Sequence, residues 1–262
     1  IAQACSSEAV WVDLGLEEPI KGPDAITEYL RQKFPPGSRL AIERVADGAQ
    51  TSGFTWHREA DTVEGQGLRG TTFVSLDSEG QIDFITEGYE PIFKPGELTA
   101  KLLQAISKNF EVEEIEPSYT SQTPRTAQAH VKYLWEEAYP KGAKPEEAIR
   151  QFAEGIVYED FNYEEPFVGI PAVTDFLAEF DFPGIEFFPE LISEGDEGCC
   201  FTWRVKINGE DGPKGISFYG VDKPTGKISY IRDIPAPSIR PPPLGSLAAR
   251  LQPALRVFEP RK

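Results

Sequence analysis

The sequence has no methionine, only three cysteines and only two histidines in 262 residues. Without Met, Ile1 is not an initiator, so an upstream piece, with room for a targeting segment, is expected before it. The cysteines are Cys5, Cys199 and Cys200. That is too few for a disulfide framework, and adjacent cysteines rarely bond each other, so a reducing compartment is expected. His57 and His130 lie far apart and no Cys-x-x-Cys pattern occurs, so no metal and no cofactor is expected. No apolar run is long enough to cross a bilayer, so the chain is not expected to span a membrane. Basic residues are also scarce: 26 Lys and Arg stand against 43 Asp and Glu, a net charge of −17. With no basic cluster to offset that charge, nucleic acid is excluded as a partner. Acidity of this kind serves solubility or attracts basic partners.

What the chain does have is apolar substance and a repeat. Hydrophobic residues make up 40% and aromatic residues 11%, enough for real cores. Asp13 to Leu30 aligns with Asp160 to Leu177 without a gap, at an offset of 147 residues. The shared pattern is D-x3-E-E-P-x2-G-x2-A-[IV]-T-[DE]-[FY]-L. The register continues through Gly37/Gly184 and Phe54-Thr-Trp56/Phe201-Thr-Trp203, then through Gly70/Gly215, Gly80/Gly226 and Ile85/Ile231. Matches this dense with so few gaps establish a duplication.

The second copy has the clearer element pattern. Ala129, Val131, Leu134, Trp135 and Ala138 recur at helical spacing over 125–139, and Pro140 and Gly142 break the run. Pro145 suits the first turn of a helix over 146–153. A short extended pair follows at 156–160 and 166–169, then a helix from Pro171, then four strands near 185–194, 199–208, 214–222 and 227–234. Glycines mark their turns. The first copy enters late: its counterpart of helix 125–139 would precede residue 1, so an upstream segment or a neighbour is expected to cover that face of its sheet. The expected domains are repeat 1 at 1–95, a helical then acidic linker at 96–124, repeat 2 at 125–240, and a Pro-rich connector with a C-terminal helix at 241–262. Leu98, Leu102, Leu103 and Ile106 give the linker its helical spacing.

Helices, a short hairpin, a helix and a four-strand meander are the order of the NTF2-like (SnoaL-like, ketosteroid-isomerase-like) fold. The chain therefore resembles a tandem NTF2-like protein of α+β class, with helices packed on a curved antiparallel sheet in each copy. The motif adds to the resemblance: ketosteroid isomerases have a similar Asp, a Pro six residues on, a Gly nine residues on, then Ala-Ile and an aromatic. Here these are Asp13, Pro19, Gly22, Ala25-Ile26 and Tyr29, and again Asp160, Pro166, Gly169, Ala172-Val173 and Phe176. A looser likeness, in Gly215 to Tyr219 and Ile228 to Asp233 with the Pro-x2-Arg-Pro tail, is to plastid SnoaL-like proteins of plants and algae. It implies a chloroplast stroma or thylakoid-surface location; otherwise the cytoplasm is expected.

The resemblance implies that Asp160 and Asp13 stand where the isomerases keep their proton-shuttling base. An Asp before a turn also accepts backbone N–H bonds, so a structural role stays open for both. The isomerases pair the base with an oxyanion hole of a Tyr and a protonated Asp. Near those places this chain offers Tyr133 or Tyr139 from the opening helix, and Thr72 and Ser217 on a strand. Trp56 and Trp203 make one strand face aromatic, as core or as a ligand wall. Arg232 ends the last strand, as an anion clamp or an ion-pair partner. Glu87 and Asp233 end the last strand of each copy. Two functions follow. One is a non-catalytic scaffold or assembly subunit, or a binder of a small apolar ligand, with a protein partner or larger complex. The other is an isomerase, cyclase or hydratase with Asp160 as base. Sheets of this fold commonly pair face to face, so the resemblance implies that pairing between the two copies.

Overall fold

A computed structural model describes residues 3–59, 66–107 and 116–237. The first repeat runs β1 (Cys5–Asp13), β2 (Ile20–Lys21), α1 (Pro23–Lys33), β3 (Leu40–Ala46), β4 (Thr51–Glu59), β5 (Gln66–Leu76) and β6 (Ile82–Tyr89). Then comes α2 (Glu97–Ser107). The second repeat opens on α3 (Ala127–Val131), a π-helical turn (Lys132–Ala138) and a 3-10 turn (Tyr139–Lys141). It continues with α4 (Pro145–Ile149), β7 (Phe152–Asp160), β8 (Phe167–Val168), α5 (Gly169–Ala178), β9 (Ile185–Ile192), β10 (Gly198–Ile207), β11 (Glu210–Val221) and β12 (Ile228–Pro235). The acidic stretch at 111–115 and the expected C-terminal helix lie outside the described residues.

The repeat in sequence is a repeat in topology. Each copy forms one six-stranded sheet, in the orders β2-β1-β6-β5-β4-β3 and β8-β7-β12-β11-β10-β9. Among the described residues, only the β1–β6 and β7–β12 pairs are parallel. The motif glycine has a backbone reason: Gly22 and Gly169 have φ of 83° and 82° just where α1 and α5 begin, a region side chains rarely enter. Some expectations shift. The helix expected over 146–153 ends at Ile149. The strand expected from 156 begins at Phe152, because pairing with β12 (Ile228↔Phe152) draws the preceding residues into the sheet. The expected helix over 125–139 widens into the π-helical turn, which lets Tyr133, Leu134, Trp135 and Ala138 all bury.

Each sheet has two jobs. Its concave face holds the repeat's own core under the helices, and its other face packs against the other sheet. β10 is therefore buried on both faces over most of its length. Phe201, Trp203 and Val205 join the second repeat's core, with Trp135, Tyr219 and Phe176. Cys200, Ile216, Phe218, Tyr230 and Ile234 turn the other way and meet Leu14, Ala46 and Phe73 of the first repeat. Close approach of the sheets explains two small residues. A Cβ on Gly53 would collide with the Cys200 side chain, and one on Gly88 would lie 2.7 Å from Ile216 Cγ2. Charges fasten the seam. Arg232 donates to Glu159 at 2.7 Å and pairs with Glu43 at 2.9 Å, while Arg69 reaches Glu159 at 3.1 Å and Glu90 at 2.9 Å.

Candidate functional site

The parallel pairing that closes each sheet places two acids side by side. Asp13 pairs in register with Glu87 across β1 and β6, and Asp160 pairs with Asp233 across β7 and β12. All four are buried. Strand alternation sends them to the concave faces: Asp160 follows Ile156 and Tyr158, which belong to the cone core, while Glu159 between them turns to the seam.

Both copies build the same relay behind the last-strand acid. In the first, Trp56 Nε1 donates to Thr72 Oγ1 at 2.9 Å, and that hydroxyl donates to Glu87 at 3.4 Å. In the second, Trp203 Nε1 donates to Ser217 Oγ at 2.7 Å, and Ser217 donates to Asp233. The motif Asp also does the same local work in each. Asp13 Oδ1 accepts the Gly15 amide at 2.7 Å, and Asp160 Oδ1 accepts the Asn162 amide at 2.8 Å. That is the turn-capping role of an Asp before a turn, and it leaves the other carboxylate oxygen free for something else.

Here the copies part. In the first, Lys33 from α1 reaches both acids, at 2.9 Å from Asp13 Oδ2 and in direct contact with Glu87. Tyr29 donates to Asp13, and the Lys33 ammonium lies 4.0 Å from the centre of the Tyr89 ring. The repeat register puts Phe180 where Lys33 stands and Phe176 where Tyr29 stands. Among the described residues, no cation meets the second acid pair. Tyr158 donates to Asp233 instead, from the position that Trp11 holds in the first copy.

Electrostatics follow from that difference. Burial, and then the Asp233 charge, push Asp160 up to about 8, against the smaller pull of the Asn162 amide. Burial pushes Asp233 up to about 6, while the Ser217 and Tyr158 hydroxyls hold it down. Both acids therefore hold a proton more tightly than an ordinary carboxyl does. Burial also raises Glu87, against the opposing Lys33 ammonium.

Of the residues singled out in the sequence, Asp160, Ser217, Trp203 and Tyr139 gather in the second cone, and Asp13, Thr72 and Trp56 in the first. Tyr139 is packed edge-on to Trp135 at 6.0 Å and near Phe187, and burial, then the Asp233 charge, raises its hydroxyl's pKa. Tyr133 points elsewhere: its hydroxyl donates to the buried Glu147 at 2.7 Å. Arg232 lies on the opposite face of β12 from Asp233, in the seam, and reaches neither cone. The acids that complete each pair, Glu87 and Asp233, had one signal in the sequence, an acid at the matched last-strand position of both copies.

Aromatic rings wall the second cone. Trp135 lies 4.9 Å from Phe201, 5.6 Å from Phe187 and 6.3 Å from Trp203. At the end of the cone where Asp160 and Asp233 sit, α2 crosses the loops. The Gly96 amide donates to Asn162 O at 2.9 Å, Gln104 donates to Glu179 O at 2.7 Å, and Ser107 donates to Pro183 O. Leu103 of α2 is buried in the second repeat's core.

Hairpin, helix and meander, with a mixed six-stranded sheet and the motif Asp on its concave face, stand in both copies, and among the described residues the opening helices stand before the second. The chain is a tandem NTF2-like protein. No protein-family model matches the sequence, and no curated protein matches it. Solved structures similar to it each align with a third to half of the chain. A SnoaL-like family protein from Agrobacterium tumefaciens is 30% identical, over 34% of this chain and 76% of its own, with a TM-score of 0.28. A protein from Kribbella flavida assigned as a ketosteroid isomerase is 21% identical, over 37% and 70%, with a TM-score of 0.32. A cystatin-like-fold protein from Silicibacter pomeroyi is 16% identical, over 50% and 88%, with a TM-score of 0.36. No helix among the described residues of this NTF2-like chain is long and apolar enough to cross a membrane.

Proposed function

We propose that the second repeat binds a small, largely apolar molecule through a carbonyl oxygen, and that Asp160 gives or takes a proton beside it. The observation that supports this is the Asp160–Asp233 pair, buried on the concave face with no cation among the described residues to neutralise it. Protonated Asp160 is a donor for a carbonyl oxygen, and burial, then the Asp233 charge, keeps the proton there. Trp135, Tyr139, Phe187 and Trp203 supply the apolar wall. Above about pH 8, the ionised Asp160 becomes a base for a proton next to that carbonyl.

Cyclohexenone serves as the probe. Titrated to millimolar concentration, it should alter tryptophan fluorescence in the parent and much less in Asp160→Ala. In deuterated water its α-protons should exchange faster with the protein present, with a rise through about pH 8 that Asp160→Asn removes. Neither binding nor Asp160-dependent exchange, with this ketone and a panel of larger ones, would sink the reading.

An assembly role is the competing reading, and the tight ring contacts around Trp135 favour it. If those rings fill the cone, the duplication serves to pair two sheets, and the protein acts as a scaffold subunit. Native-source purification in a stable complex, with no ketone bound, is the result that selects it.

A further inference from the structure

Among the described residues, and apart from Val168 and Leu191, the exposed large hydrophobic side chains fall into two patches. One is on β3: Leu40, Ile42 and Val45, with Ile42 61% exposed. The other runs from Ile92 and Phe93 into α2: Leu98, Leu102 and Ile106, with Leu98 64% exposed. The first patch is a sheet face without a helix. The second is a helix face without a sheet. Exposed apolar patches of this kind mark interaction surfaces.

The second repeat shows what belongs on the first patch. In the β3–β4 register Ile42 pairs with Trp56 and Val45 with Phe54, so these side chains share the concave face with those rings. Leu40, two residues from Ile42, lies on the same face. At the repeat offset of 147 these positions become Phe187, Pro189 and Ile192 of β9. Phe187 and Ile192 pack into the second repeat's core, and the Trp135 and Tyr139 rings of its opening helical stretch lie 5.6 Å and 5.8 Å from Phe187. A helical stretch therefore roofs β9. Among the described residues nothing comparable roofs β3.

α2 has the complementary defect. Ala100, Leu103 and Ser107 are buried, Leu103 in the second repeat's core. Gln104 and Ser107 donate to the Glu179 and Pro183 carbonyls, which fixes that side of the helix. Leu98, Leu102 and Ile106, at i, i+4 and i+8, then form one ridge turned to solvent. The ridge is about 12 Å long and the β3 patch about 16 Å, so one fits along the other. Within one molecule the two look away from each other. α2 is held on the concave side of the second sheet, the β3 patch lies on the concave side of the first, and the seam runs between the sheets. Local charge favours a meeting between molecules: the exposed Arg39 stands at the start of the β3 patch and the exposed Glu97 at the start of the ridge.

We infer that α2 of a second copy of this chain docks on β3, with Leu98, Leu102 and Ile106 over Leu40, Ile42 and Val45, and roofs the first cone as the opening stretch roofs the second. Donor and acceptor lie on opposite sides of the molecule, so the contact is head to tail. Association then passes beyond a pair unless a ring closes. The patch is small, so the contact is weak and is driven by concentration.

Sedimentation equilibrium of the full chain over a concentration series tests this. The parent's average mass should climb past that of two chains. Ile42→Asp spoils the acceptor and Leu102→Asp the donor. Both sites are exposed, so the fold should survive, which circular dichroism checks. Each substitution sets an unpaired charge in the apolar contact and should weaken self-association by roughly tenfold or more. Mixing the two variants is the sharper measurement. The intact α2 of one meets the intact β3 of the other, so the mixture should form pairs of one chain each and stop there. A parent that stays monomeric at every concentration overturns the inference. So does a mixture that forms no pairs. Self-association that persists in Leu102→Asp but not in Ile42→Asp overturns it in favour of β3 meeting β3.

Discussion

Two cones from one ancestral motif solve the same problem in opposite ways. Each buries two acids side by side on its concave face, and each holds the last-strand acid by an indole and a hydroxyl. In the first cone Lys33 satisfies both acids from within. In the second Phe180 occupies that register position, so one acid must keep a proton at neutral pH. A buried charge is tolerated when paired and shifts its pKa when it is not. The first cone is thus a finished internal ion cluster, and the second has no cation on its acid pair among the described residues. The charge difference comes down to one position, Lys33 in the first copy and Phe180 in the second.

Removing that side chain should produce the largest effect. Lys33→Phe strips the cation from Asp13 and Glu87 and makes the first cone resemble the second. Unpairing a buried ion cluster of this kind costs about 3–5 kcal/mol at pH 8. The cost should shrink at pH 5, where a carboxyl takes up a proton in place of the ammonium. Urea unfolding at the two pH values checks this, and a loss that does not depend on pH would mean that Lys33 acts by packing over Tyr89 rather than by charge.

Asp160→Asn sharpens the comparison from the other side. The folded protein holds the Asp160 proton up to about pH 8, where the unfolded chain releases it near the ordinary value of 3.8. The folded state therefore binds more protons across that window. The contribution of this group to stability is greatest below about pH 4 and is lost as pH rises toward 8. An asparagine has no proton to lose and can still accept the Asn162 amide. The variant should be more stable than the parent at pH 8 by on the order of 1–3 kcal/mol, and no more stable at pH 4. Thermal unfolding across that range reads it out, and a variant less stable than the parent at pH 8 would contradict a protonated, unpartnered Asp160.

Much of this was legible in the residues, and the remainder was hidden for physical reasons. Duplication and the chain order of the elements followed from local pattern, because turns and periodicity are local matters, and the cone fold and the motif Asp followed from the resemblance that the pattern carries. Trp203 and Trp56 were found because they alternate on a strand with other aromatics, and Ser217 and Thr72 because they lie near the place where the isomerases keep an oxyanion-hole acid. Glu87 and Asp233 were visible only as strand ends. Their pairing with Asp13 and Asp160 depends on a parallel strand contact between residues more than seventy positions apart. Lys33 was invisible as a partner for the same reason: its helix must fold back on the sheet before its ammonium meets the acids. Arg232 and Asp233 are adjacent in sequence, yet sheet packing sends one to the seam and the other into the cone. Tyr133 was drawn off by Glu147, a helix acid that local pattern assigned to the first turn of α4.

The smallest expected effect tests whether the shared relay matters in both cones or in one. Ser217→Ala removes a hydroxyl that donates to Asp233 and accepts from Trp203, and Thr72→Ala removes its counterpart beside Glu87. Each leaves a buried indole N–H without its acceptor, so each should cost about 1–2 kcal/mol of stability. The side effects should differ. In the second cone the lost donor lets Asp233 rise, and its proton then competes with that of Asp160. Carboxyl carbon NMR should therefore show both second-cone acids titrating differently in Ser217→Ala, with a visible upward move of Asp233 from about 6. In the first cone Lys33 still holds Glu87, so Thr72→Ala should leave its neighbours' titration nearly as it was. Equal responses in both cones would erase the distinction between a paired and an unpaired acid cluster, on which the assignment of chemistry to the second repeat depends.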